Sequence, residues 1–192
     1  MSHTSILQFR TANCKNCYKC IRNCPVKAIR VTNQQAQIIE EQCILCEKCI
    51  AVCPQHAKVE HDDIPAIQRV IASGKKVIAS VHPAYLARYG WNSIGDLEKY
   101  LQKMGFWKAF DAAQGAAVMK EEYTRLLREQ QQKKLVVSSN CPVVVRLIET
   151  KYPHLTEYLA PVYSMKQMHA AYLREQYPDA SIVYISPCIS VM

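Results

Sequence analysis

No stretch of the 192-residue chain approaches the roughly 20 apolar residues that a membrane-crossing helix needs, so the sequence predicts no membrane partner. Glycine is scarce at 5 residues, phenylalanine at 3 and tryptophan at 2. Together with 49% apolar and 21% charged residues, this composition excludes global disorder, collagen-like repeats and coiled coil. No basic run is longer than the pairs Lys75-Lys76 and Lys133-Lys134. The net charge of +8 is therefore spread as a solvated surface rather than gathered into a nucleic-acid stripe, and no nucleic-acid partner is predicted. The first thirty residues carry Arg10, Lys15, Lys19 and four cysteines and do not read as a secretory leader. The expectation is a cytoplasmic protein, in which cysteines serve metal or catalysis rather than disulfides.

What the chain does have is 10 cysteines. Eight of them form two copies of one pattern, Cys14-x2-Cys17-x2-Cys20-x3-Cys24-Pro25 and Cys43-x2-Cys46-x2-Cys49-x3-Cys53-Pro54, displaced by 29 positions. Lys19 matches Lys48, Ile21 matches Ile50 and Ala28 matches Ala57, so the duplication extends beyond the cysteines. Three cysteines within seven residues let a tight loop present three thiolates to one iron–sulfur cube. The fourth, before proline, starts a short helical turn and points at the other cluster. The expected sets are Cys14, Cys17, Cys20 and Cys53 for one [4Fe–4S] cluster, and Cys43, Cys46, Cys49 and Cys24 for the second. Structural zinc would need only paired Cys-x2-Cys knuckles, without two exchanged quartets. Residues 1–60 resemble a bacterial two-cluster ferredoxin domain, an α+β ferredoxin-like fold. Between the motifs, Ile29–Val31 and Gln37–Ile39 flank Thr32–Gln35 as a short hairpin. Each oxidised cube with four thiolates carries about −2, so two of them offset the +4 of this half (eight basic, four acidic side chains).

Beyond residue 61 the pattern becomes strands alternating with helices. Helices are expected over Ile64–Ser73, from Ser93 to Gly105, over Ala112–Gln132, over Val143–Lys151, and from a Ser164/Gln167 capping box onward. Strands are expected over Lys76–Val81, Leu135–Val137 and Ser181–Ile185. That alternation predicts an α/β layer with a mostly parallel sheet. Cys141 and Cys188 each lie just after a strand and beside a proline, and the carboxyl ends of strands form the ligand crevice of such sheets. Cys141, before Pro142 at a helix start, also sits where the dipole favours an anion. From spacing alone these two are either metal ligands or reactive thiols, or else buried structural cysteines.

The whole chain resembles the large subunit of [FeFe]-hydrogenases, in particular its sensory branch. Ser138-Ser139-Asn140-Cys141-Pro142 is similar to that family's Thr-Ser-Cys-Cys-Pro signature, and Ser186-Pro187-Cys188 to its Met-Pro-Cys-x-x-Lys signature. Val77–Val81 leading into His82-Pro83-Ala84, and Lys103–Phe106 to Phe110-Asp111, share the likeness. The resemblance implies a partial α/β hydrogenase-like domain over 61–192, with Cys141 and Cys188 as candidate ligands of the H-cluster cubane. It also implies departures. Asn140 stands in place of the proton-relaying cysteine, Ser186 in place of methionine, and Val191 in place of the lysine that contacts cyanide. The third signature, with the other two cubane cysteines, is absent from the 192 residues. The expectation is thus an incomplete site, an H-cluster only if further sequence supplies the rest, and no catalysis by this chain alone.

The histidines do not alter this expectation. His154 and His169 fall on helix surfaces by pattern and His56 and His61 near residue 61, none with ligand spacing. Three functions compete. The first is an electron-transfer iron–sulfur protein serving a redox partner protein. The second is a piece of a catalytic or H2-sensing hydrogenase completed by further sequence. The third is an interaction module whose clusters are structural.

Overall fold

Two short strands, one before the first cysteine motif and one after the second, pair with each other. The computed structural model describes residues 6–89, 93–129 and 135–191. Strand β1 (Leu7–Phe9) is followed by helix α1 (Lys19–Asn23), hairpin strands β2 (Ile29–Thr32) and β3 (Gln35–Ile38), helix α2 (Lys48–Ala51) and strand β4 (Lys58–Glu60). β4 returns antiparallel to β1, with Phe9 opposite Lys58. The hairpin pairs Thr32 with Gln35 across Asn33 and Gln34, both at positive φ (50° and 56°), as a two-residue loop matched to the strand twist requires. The fourth cysteine of each motif opens a single hydrogen-bonded turn rather than a helix, Lys27 N donating to Cys24 O (3.4 Å) and His56 N to Cys53 O (3.2 Å). α1 ends just before Cys24, which is extended (φ −71°, ψ 114°), because Pro25 disfavours helical backbone in the residue before it.

Helix α3 (Ile64–Ala72) stops before Gly74 (φ +76°), a left-handed residue past the end. Then come β5 (Val77–Val81), α4 (Tyr85–Tyr89), α5 (Ile94–Lys103), β6 (Lys108–Asp111), α6 (Ala113–Glu129), α7 (Pro142–Lys151), α8 (Met165–Gln176) and β7 (Ser181–Ile185). β5 is buried along its length and lies between β6 and β7, parallel to both, with Ala79 opposite Ala109 and Val183. The parallel α/β layer expected after residue 61 is thus present. α8 opens with the full capping box, Gln167 N donating to Ser164 Oγ (3.4 Å) and Ser164 N to Gln167 Oε1 (2.9 Å). Before α5, Ser93 donates instead to the Asp96 carboxylate (3.1 Å) and makes no backbone cap.

One expected strand is absent and one strand present was not expected. Leu135–Val137 forms no strand; only Val137 bridges, its carbonyl accepting from Ala160 N (2.8 Å). β6 has a sequence, Lys-Ala-Phe-Asp, too poor in β-branched residues to announce a strand. Residues 130–132, expected to prolong α6, lie outside the described residues.

The chain divides into two compact units, each assembled from separate stretches. Unit 1 comprises Met1–Asp62, Cys141–Leu159 and Cys188–Met192; unit 2 comprises Asp63–Asn140 and Ala160–Pro187. In unit 1, Cys24, Val26, Ala28, Ile29, Ala36 and Ile44 are buried together, and Val143 and Leu147, one turn apart on α7, pack onto them. A neighbouring core joins Leu7 and Leu45 to Ile189. In unit 2, Val77, Ala79, Val81, Tyr85, Leu97, Leu101, Phe106 and Ala109 form the core.

Candidate metal centres

Sulfur and backbone are arranged twice in unit 1 on the 29-residue repeat. One cavity is lined by Cys14, Cys17, Cys20 and Cys53, the other by Cys24, Cys43, Cys46 and Cys49. Each comprises about 340 Å³ free of protein atoms, open solvent included. Positive-φ residues fall in register: Asn16 with Leu45 (51° and 56°), Tyr18 with Glu47 (56° and 63°), Lys27 with His56 (57° and 47°). None is glycine, so each left-handed residue costs about 1–2 kcal/mol. In return, such backbone curls successive amide N–H groups to one side, a cradle for an anion. The repeat also reaches the sulfurs, since Ala28 N donates to Cys24 Sγ (3.2 Å) and Ala57 N to Cys53 Sγ (3.3 Å).

Burial sets the acidity of these thiols. Desolvation pushes Cys20 and Cys43 up, and Cys49 up to about 12. At Cys53 desolvation also acts upward, but N–H groups of Ala57, Gln55 and Lys58, with the Lys58 charge, outweigh it and lower the thiol. As free thiols Cys20, Cys43 and Cys49 hold their protons, which a metal must displace on binding. Among the described residues no three His, Cys, Asp or Glu side chains converge tightly enough for one ion. A single zinc, with four sulfurs about 2.3 Å away, therefore does not fit. Four soft sulfurs spread round a cavity suit a group with several iron corners.

Sequence reasoning missed three charged residues of this unit. Lys58 is 2% exposed. Its Nζ donates to Ala36 O (3.1 Å) and lies 4.1 Å from the Phe9 ring centroid, partners that a buried ammonium requires. Glu47 accepts from Ile189 N (2.6 Å), and Arg146 Nε donates to Cys43 O (3.1 Å). The signal for Lys58 was available, because the position 29 residues earlier holds Ile29.

Cys141 and Cys188 belong to unit 1. Cys141 is exposed and precedes α7 without capping it through its side chain. Cys188 is half-buried, with Sγ 2.9 Å from Ser190 Oγ. Each is tied through near neighbours to the second motif: Arg146 and Ile189 bond Cys43 and Glu47. No third ligand completes an ion site with them among the described residues. In unit 2 the loop before Cys141 is bound firmly. Ser138 Oγ lies 2.9 Å from Tyr123 OH, Ser139 Oγ donates to Val162 O (2.7 Å), and Asn140 Oδ1 accepts from Met165 N (3.0 Å) at the start of α8.

His169 is not a surface residue. It is fully buried in unit 2, with Nδ1 2.7 Å from Ser80 Oγ and Nε2 3.3 Å from Gln114 Oε1. The helical pattern misled because α6 covers this face of α8. His154 is exposed, as its pattern indicated.

Residues 75–191 match the iron only hydrogenase large subunit, C-terminal domain, and residues 13–57 match the 4Fe-4S dicluster domain. The NADP-reducing hydrogenase subunit HndD of Solidesulfovibrio fructosivorans is 26% identical over 182 residues, covering 81% of this chain and 31% of that protein. The thiosulfate reductase electron transfer subunit PhsB of Salmonella typhi is 24% identical over 120 residues, 57% of this chain and 62% of that one. A solved [FeFe]-hydrogenase superposes with TM-score 0.55 at 25% identity, over 66% of this chain and 39% of that chain. The chain thus spans about a third of the hydrogenase subunit it matches.

Proposed function

The chain belongs to the iron-only hydrogenase large-subunit family, and from that premise we propose that it holds two [4Fe–4S] clusters and passes electrons singly between redox partner proteins. It is an iron–sulfur protein of electron-transfer type related to the hydrogenase large subunit. Residues 1–60 are assigned to the two clusters and 61–192 to an incomplete hydrogenase-like part. Cys14, Cys17, Cys20 and Cys53 are the proposed ligands of one cluster, and Cys43, Cys46, Cys49 and Cys24 of the other. The observation that carries this is the lining of the two cavities, each with three cysteines of one motif and the fourth of its copy. When bound, each cluster supplies a one-electron couple. The chain's own residues supply thiolates, N–H donors at Cys24 and Cys53, and apolar walls from Val26, Ile29, Ile38 and Ile44 on the second cavity.

After anaerobic reconstitution, about eight iron and eight acid-labile sulfide per chain are expected, and Cys24→Ala should retain about four of each. Iron near four in the unaltered chain, or stoichiometric zinc, would sink the two-cluster reading. The crossed assignment is tested by pairs. Cys24→Ala with Cys46→Ala should keep about four iron, because both fall on one cluster, whereas Cys24→Ala with Cys17→Ala should keep none. The reverse result would refute the crossing.

Within these 192 residues Cys141 and Cys188 are the candidate H-cluster cubane ligands, and Asn140, Ser186 and Val191 lack the chemistry the resemblance would require of those positions. The proposal is therefore electron transfer without H2 turnover by this chain alone. The match of 75–191 to the hydrogenase domain and the coverage of only 31% of HndD favour one second reading, a portion of a catalytic or H2-sensing hydrogenase completed by further sequence.

A further inference from the structure

The two cavities share one backbone plan but not one charge. Aligned on the 29-residue repeat, Ala28 and Ile29 line the second cavity where Ala57 and Lys58 line the first. The Lys58 ammonium is held in place by the Ala36 carbonyl and the Phe9 ring, and Ala36 and Phe9 line the same cavity. The repeat swaps a second pair, Tyr18 on the first cavity for Glu47 on the second. Lys19 and Lys48 stand at equivalent positions and cancel. Arg146 brings a positive charge to Cys43, but it is only half-buried and solvent screens it.

We propose that Lys58 makes the two clusters inequivalent: its buried ammonium raises the reduction potential of the one held by Cys14, Cys17, Cys20 and Cys53, so that the first electron the chain accepts resides there. This rests on the two-cluster reading above. Each reduction adds one electron and no proton, taking a cube with its four thiolates from about −2 to about −3; the electron comes from a low-potential one-electron donor. A fixed cation in surroundings of low dielectric favours the more negative state of whatever lies nearest. Lys58 stands on the wall of the first cavity and is not part of the wall of the second. Glu47, next to Cys46, works against reduction of the second cluster. Both substitutions push the potentials apart in the same sense.

The test is a potentiometric titration of the reconstituted full chain with dithionite, followed by EPR. The unaltered chain should reduce in two resolved one-electron steps. Lys58→Ile, which restores the repeat, and Lys58→Met, neutral and of similar length, should move the first step to lower potential by more than the second and narrow the gap. Lys58→Arg should keep it. Unchanged steps in a neutral variant that retains its iron would overturn the proposal. So would a single unresolved step in the unaltered chain, a result that stands even if every variant loses iron. Iron near four in the unaltered chain would instead count against the two-cluster reading beneath it.

Discussion

Single residues in this chain are best understood by what surrounds a buried polar group. Desolvation holds the His169 imidazole below its ordinary value, against the opposing charge of Asp111. The unfolded chain then takes up that proton at higher pH than the folded one. The stabilisation from neutral His169 is complete above about pH 6.5 and declines as pH falls from there through the depressed folded value. His169→Gln removes the titration while keeping polar contact with Ser80. Urea midpoints measured from about pH 8 to about pH 5 should therefore fall less steeply in the variant. Equal slopes in the two proteins would contradict this. Its burial was not legible in the sequence, since a histidine among Met165, Met168, Tyr172 and Leu173 looks the same whether a second helix covers that face or water does. The grouping of the eight motif cysteines round two cavities was legible because type and spacing repeat together along the chain. Lys58 was half-legible: it breaks the repeat in plain view, but only the β1–β4 pairing with Phe9 explains why a lysine tolerates the interior.

Among the elements, the contact of α6 with α8 depends on a missing side chain. A Cβ on Gly115 would meet the Met165 carbonyl oxygen, and would lie 2.8 Å from His169 Cβ and 2.9 Å from His169 N. Two of these three are backbone atoms, which cannot swing aside. Gly115→Ala should lower stability by roughly 1–3 kcal/mol, despite alanine's better helix propensity. A thermal melt of the reconstituted chain checks it, and an unchanged or raised Tm would show that the helices can part without cost. Elements with a strong local signal emerged where the sequence set them, as with the capping box of α8 and the apolar run of β5. β6 did not, because Ala109 and Asp111 carry little strand preference and its place is set by β5 alongside it. The Leu135–Val137 run was strand-like, yet it pairs with neither edge strand, β6 nor β7, and Val137 finds only Ala160.

At the scale of the molecule, the 192-residue chain supplied with a synthetic diiron precursor should neither consume nor evolve H2, while still being reduced by dithionite and reoxidised by an artificial acceptor. H2 turnover above that of a Cys141→Ser control would overturn the electron-transfer reading in favour of a working hydrogenase. Unit 1 is drawn from three stretches of sequence, and this has a consequence for how the protein is made. Glu47 waits for Ile189, its bonding partner 142 positions later. A ribosome adding 5–20 residues per second needs on the order of ten seconds or more to cover that distance. Throughout that interval the apolar surface of Leu7 and Leu45, which Ile189 covers in the finished fold, stands open beside the second cysteine motif. Iron–sulfur delivery during translation would meet a site without that apolar cover, and delivery after release one whose Leu7 and Leu45 side is closed while Cys46 stays exposed.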